Sequence, residues 1–258
     1  MDFVAVWLGG LAGIAILMTF AWLLSLRLND ASIVDIFWGM CFMTAAVVYA
    51  ASTPAGDPTR KALSLIAVLV WGARLSLHIG VRNWGKPEDY RYAAWRKQYG
   101  DAWWWRSALQ VFALQGVLAW LISLPIAAAQ FSATPTGLLD AVAMVVWAVG
   151  FLFEAVGDAQ LSAFRRNPAN KGKVMQAGLW RYTRHPNYFG DAVQWWGQYG
   201  LALAAGGWWT IPAPILMTYL LLRVSGVAML ERTISDRRPE YAEYIRRTSA
   251  FIPRPPRP

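Results

Sequence analysis

Eight ionisable side chains lie inside, or at the ends of, stretches that are otherwise apolar: Asp35, Arg74, His78, Glu154, Asp158, Asp191, Arg223 and Glu231. In hydrocarbon such a group costs on the order of 3 kcal/mol unless it is paired or faces a wet cavity, so a cluster of them marks a site for chemistry. Arg74, His78 and Arg82 recur every four residues, as do Glu154 and Asp158, which places each set on one face of a helix. Gln115, Asn187 and Gln194 fall in the same zone and add hydrogen-bonding capacity without charge.

Residues 161–187 hold six cations and no acid, namely Arg165, Arg166, Lys171, Lys173, Arg181 and Arg184. The segment closes on the run Gly-Leu-Trp-Arg-Tyr-Thr-Arg-His-Pro-Asn-Tyr-Phe-Gly at 178–190, which leads directly into an apolar stretch. A helix beginning there presents free backbone N–H groups and a partial positive charge. Arg181, Arg184 and His185 beside that end form an anion site, and pyrophosphate is its natural ligand. Headgroup anchoring also calls for basic residues, but not for the His-Pro-Asn-Tyr-Phe-Gly order. A second polar segment, 83–106, sets Lys86, Arg91, Arg96 and Lys97 among Trp84, Tyr90, Tyr92, Trp95, Tyr99 and Trp103–Trp105. That composition suits an amphipathic segment at a membrane surface.

The elements that position these groups follow from the uncharged windows. A helix crossing about 30 Å of hydrocarbon needs around 20 apolar residues. Residues 3–26, 36–56, 62–81 and 138–160 each supply one window. Residues 107–139 supply another, in which Pro125 is expected to end the helix and 130–137 to form the exit loop. Residues 192–222 are long enough for two crossings if the chain reverses at Gly206-Gly207. The expected fold class is therefore all-α, a polytopic seven-helix transmembrane bundle with its N-terminus outside and its C-terminus cytoplasmic. With that topology 22 of the 24 Lys and Arg residues face one side, and only Arg60 and Lys61 face the other. A large soluble α-domain would have to bury at least five such windows all round, which a chain of 57% hydrophobic residues and mean hydropathy +0.32 argues against.

The single Cys41 excludes an internal disulfide and reads as a small packed hydrophobe. A net charge of +9 with this sidedness suits an anionic leaflet or a phosphorylated ligand, not nucleic acid. No repeat or second soluble domain stands out, no metal site is assigned, and residues 1–258 read as one membrane domain. The Pro-Arg tail after Phe251 reads as a surface extension.

Several motifs together resemble the steroid 5α-reductase-like membrane reductases, in particular a bacterial branch of that superfamily described as a domain of unknown function. They are Ser32-Ile-Val-Asp-Ile-Phe-Trp-Gly39, Trp71-Gly-Ala-Arg-Leu75, Gly85-Lys-Pro-Glu-Asp-Tyr-Arg-Tyr92, Phe153-Glu-Ala-Val-Gly-Asp158, the Arg-His-Pro-Asn-Tyr-Phe-Gly run, and residues 241–253. The resemblance implies a seven-helix bundle, with the cofactor half at about 138–253, that reduces an activated C=C bond of a sterol, isoprenoid or acyl substrate with NADPH. It implies that Arg165, Arg166, Lys173, Arg181 and Arg184 hold phosphates, that Arg74, Lys86, Asp158, Tyr182, His185, Tyr188 and Glu231 border the cofactor, and that Asn187 holds the nicotinamide amide. Asp191 takes the place of an acidic residue just after that Asn. Asp35 stands where the steroid enzymes carry a Glu that polarises the substrate ketone, and His78 is a second proton source. Trp71 replaces their partner Tyr, and an indole has no acidic O–H to give.

Two rival readings carry their own expectations. Isoprenylcysteine carboxyl methyltransferases and phospholipid methyltransferases share an Arg-His-Pro-Tyr type of motif, which implies S-adenosylmethionine in contact with Arg184, His185 and Glu231. Adenosylmethionine has no phosphate, so the six-cation segment is left without a ligand. A non-catalytic lipid-binding protein needs no nucleotide pocket at all. The composition points to a bacterial inner membrane, with the cofactor site on its cytoplasmic side.

Overall fold

The computed structural model describes residues 1–224, 226–227 and 240–257, and among them every extended element is helical. The helices are α1 (Phe3–Leu28), α2 (Val34–Ser52), α3 (Pro58–Asn83), α4 (Tyr90–Tyr99), α5 (Trp103–Ser107), α6 (Leu114–Ile122), α7 (Leu124–Phe131), α8 (Leu138–Arg166), α9 (Pro186–Ala204), α10 (Pro212–Tyr219) and α11 (Glu240–Arg247). Five segments are long and apolar enough to cross a membrane: Phe3–Leu28, Ala31–Ser52, Pro58–Asn83, Tyr90–Phe131 and Leu138–Arg166. The protein is thus read as integral to a membrane. The chain divides into two compact units, Met1–Gly137 with Leu201–Ala213, and Leu138–Gly200 with Pro214–Pro258.

In the first unit α1, α2 and α3 pack as antiparallel neighbours through small residues. A Cβ on Gly10 would meet the Tyr49 ring at 2.3 Å, and one on Gly39 would meet the Gly72 carbonyl oxygen at 2.7 Å. Contacts this close need glycine, and they are how membrane helices gain van der Waals attraction where lipid offers no hydrophobic drive. α1 also meets the segment that follows the aromatic stretch. Trp7 and Trp120 stack at 3.9 Å, and each donates its indole N–H to the other's backbone carbonyl.

Pro125 does not end the fourth crossing as expected. The helix breaks at Ser123, whose hydroxyl caps the Trp120 carbonyl, and Pro125 sits in the first turn of α7, where its missing N–H is not needed. Residues 125–130 are all buried, so the exit loop starts at Ser132. The aromatic segment 83–106 likewise becomes mostly helix, as α4 and the start of α5, and a stretch of π-helix at Ala108–Ala113 follows it. Arg60 and Lys61, the two cations set apart by the loop pattern, are held within the fold. Arg60 is fully buried and donates to the carbonyls of Thr134 and Pro135, while Lys61 donates to that of Thr53.

In the second unit α8 and α9 run antiparallel in close contact. A Cβ at Gly150 would lie 2.6 Å from the Gln194 nitrogen, at Gly190 2.4 Å from the Glu154 nitrogen, and at Gly197 2.7 Å from Trp147. α9 ends as the chain turns through Ala205–Gly207, near the expected reversal, and helix resumes at Pro212. The tail after Phe251 is not a loose extension. Arg254 N–H donates to the Tyr182 carbonyl, and Arg257 N–H to that of Arg247.

Candidate functional site

Close approach of α8 and α9 brings together residues far apart in sequence. Asp158 is buried one turn below the last acid-free turns of α8, and it accepts a hydrogen bond of 3.0 Å from the Asn187 amide in the first turn of α9. One turn earlier on α8, Glu154 accepts from the Gln194 amide. Asp191 is buried on the same helix as its partner Trp195, whose indole N–H donates to it at 3.1 Å. The Oδ1 of Asn187 and the Oε1 of Gln194 are buried and have no hydrogen-bond partner. A buried carbonyl oxygen without a donor costs about 1–3 kcal/mol, so these two atoms mark where a ligand N–H or O–H, or an ordered water, belongs.

The loop before α9 is held by side chains of three elements. The Trp180 indole N–H donates to the Gly157 carbonyl at 3.0 Å, and Gln160 accepts from the Leu179 N–H at 3.0 Å. Gly178 has φ +60° and lies so close to the Gln160 amide that a Cβ would stand 2.4 Å away. The Tyr244 hydroxyl of α11 donates to the Trp180 carbonyl. Residues 183 and 249 form an isolated parallel bridge, with Arg184 N–H donating to the Ser249 carbonyl at 2.9 Å and the Thr183 hydroxyl to that of Phe251 at 2.8 Å. The Arg184 guanidinium is buried and donates to the carbonyls of Thr248 and Ile245. It therefore fastens the C-terminal segment to this loop. His185 is buried and stacks on Tyr188 with 5.6 Å between ring centres.

The other expected cofactor residues of this unit lie on its surface. Arg165 and Arg166, in the last turn of α8, are exposed, as are Lys173, Arg181 and Tyr182 in the loop. Glu231 lies outside the described residues. Among the described residues no group of three or more His, Cys, Asp or Glu side chains could hold a metal ion.

The first unit contains a second polar cluster. Asp35, in the first turn of α2, accepts from the Tyr92 hydroxyl of α4 at 3.1 Å and lies 3.6 Å from the Arg91 guanidinium. Gln115, directly after the π-helical stretch, donates to the Tyr92 oxygen at 3.4 Å. Arg91 also binds Asp89 at 2.8 Å. Burial raises the pKa of Asp89, but the bonds from the Arg91 side chain and backbone outweigh it and hold the carboxyl below the usual range. Glu88 accepts from Arg96 and from the Ala31 N–H, which ties α4 to the start of α2. Arg74 and His78 are half-buried on α3, and Lys86 is exposed beyond its end. Tyr92 had no assigned role in the sequence reading. The signal was the Gly85–Tyr92 motif, whose Arg and Tyr reach the very Asp that had been singled out.

A sequence profile described as "Protein of unknown function (DUF1295)" matches residues 21–248 of the chain. The chain is also similar to a protein named probable O-methyltransferase ustE from Ustilaginoidea virens, at 42% identity over 67 residues, which are 26% of this chain and 22% of that protein. The matched part thus spans less than a quarter of that relative's length. No solved structure matches the chain.

Proposed function

The chain belongs to the DUF1295 family, and from that premise we propose that it is an integral membrane reductase that uses NADPH to saturate an activated C=C bond of a lipid-like substrate. On this reading it crosses a bacterial inner membrane seven times, with residues 138–253 holding the cofactor on the cytoplasmic side.

The observation that carries the reading is the Asn187 amide. Its N–H2 is committed to Asp158 while its Oδ1 lies buried without a donor. A nicotinamide carboxamide supplies the N–H that this oxygen lacks, so the residues present fit the group. Arg165, Arg166, Lys173 and Arg181, on the surface beside that end of α9, suit the phosphates. Arg184, spent on the carbonyls of 245 and 248, fixes the loop that carries them. The bound cofactor supplies a hydride; the chain supplies position and a proton. Tyr92 Oη holds that proton on Asp35 and takes the place that Trp71 leaves empty. In the full protein in detergent, NADPH binding should be seen by calorimetry, and Arg165→Ala should weaken it. No heat at millimolar NADPH would end the proposal.

A second reading, a methyltransferase using S-adenosylmethionine, is supported by the name of the fungal relative. The acid-lined face of α8 and α9 would suit its ammonium and sulfonium groups. Parallel titrations with both cofactors separate the two, since the reading whose cofactor gives no heat is lost.

A further inference from the structure

The face shared by α8 and α9 has a charge character that the assignment of Asn187 leaves unused. Glu154, Asp158 and Asp191 lie along it with only 3%, 7% and 8% of their surface exposed. The amides that meet the first two turn their N–H2 groups toward the acids. That orientation leaves the amide oxygens of Gln194 and Asn187 buried without donors. Gln194 is 2% exposed, so bulk water does not fill the gap. Seven residues apart, Asn187 and Gln194 lie on one side of α9, about 10 Å from each other along its axis. Carboxyl oxygens and unfilled amide oxygens together make a surface complementary to positive charge. Away from water, that discrimination is stronger than the same groups would show at an exposed site.

We propose that this face seats a positively charged group of the cofactor, so that the chain binds the charged member of a cofactor pair more tightly than the neutral one. The inference rests on the reading that residues 138–253 hold a nucleotide cofactor, but not on which one. NADP+ has a cationic ring where NADPH has a neutral one. S-adenosylmethionine has a sulfonium where S-adenosylhomocysteine has a thioether. Within each pair the overall structure is largely retained while the charge of that group changes by one. For a reductase, Glu154 and Asp158 would then stabilise the positive charge that develops as hydride departs.

The experiment is calorimetric titration of the full chain in detergent with all four compounds. The charged member of one pair is expected to bind at least about tenfold more tightly than the neutral member. Glu154→Gln and Asp158→Asn keep the side-chain shape, and each should shrink that ratio severalfold with little change for the neutral compound. Damage to the fold alone would weaken both members together, so an unchanged ratio in both variants overturns the proposal. Equal affinities within a pair that binds also overturn it, while leaving the cofactor reading in place. Binding of none of the four removes both.

Discussion

Gly190→Ala tests how the two long helices of the second unit set the site. A methyl group there would stand 2.4 Å from the Glu154 nitrogen, 2.5 Å from the Gly150 oxygen and 3.0 Å from the Glu154 Cα. All three atoms are backbone of the facing helix, so no change of rotamer relieves the contact. Non-bonded atoms rest near about 3.5 Å, which requires α8 and α9 to part by about 1 Å. Overpacking costs about 1–3 kcal/mol where side chains can give, and rigid backbone puts this case at the upper end. For a chain of this size that is a loss of about 5–10 °C in Tm. Gly190 lies one turn from both Asn187 and Gln194, so the same displacement lengthens the 3.0 Å bond to Asp158 and should weaken cofactor binding about tenfold. The assay is thermal unfolding in detergent, followed by circular dichroism, with Gly137→Ala alongside. A Cβ at 137 meets nothing within 4 Å, so that variant should melt like the parent. If Gly190→Ala melts with them, the packing described for α8 and α9 is wrong.

Three further outcomes follow from the geometry. Tyr92→Phe removes the hydroxyl that donates to Asp35 and should cut turnover by at least about 100-fold while leaving NADPH affinity unchanged, read as a kcat loss without a Kd change. Arg184→Ala leaves the carbonyls of 245 and 248 without their donor; it should cost about 1–3 kcal/mol and expose the C-terminal segment to limited proteolysis. Asp57, the N-cap of α3, is held below the usual carboxylate range by the Thr136 hydroxyl and the Arg60 N–H. A depressed folded pKa means that the cap stabilises the fold at pH values above about 4, the unfolded value, and loses that contribution as pH falls through the folded one. Tm measured against pH should therefore drop less steeply below about pH 4 in Asp57→Asn than in the parent.

The apolar windows located the long helices because length and hydropathy are properties of consecutive residues. All five membrane-length segments fall where an uncharged run had been read. Their ends were less legible. α8 runs on to Arg166 because its last turn exposes cations to water, and α3 begins at Pro58 because Asp57 caps it. Pro125 was read as a stop, yet proline is equally suited to a first turn, and only the bond from the Ser123 hydroxyl to the Trp120 carbonyl decides between them.

Spacing alone showed that Glu154 and Asp158 share a helical face, and the charge run at 161–187 pointed to an anion site beside α9. What the sequence could not state is which side chains meet. Asn187 finds Asp158, and Gln194 finds Glu154, because glycines at 150, 157, 190 and 197 let two backbones approach closely. Tyr92 reaches Asp35 because the aromatic segment folds back as a helix held by Glu88. Likewise Arg184, one basic residue among six by sequence, is buried against carbonyls more than sixty positions away. Periodicity determines which face of a helix a residue occupies, whereas pairing across helices depends on contacts between distant segments, and only the tertiary structure decides those.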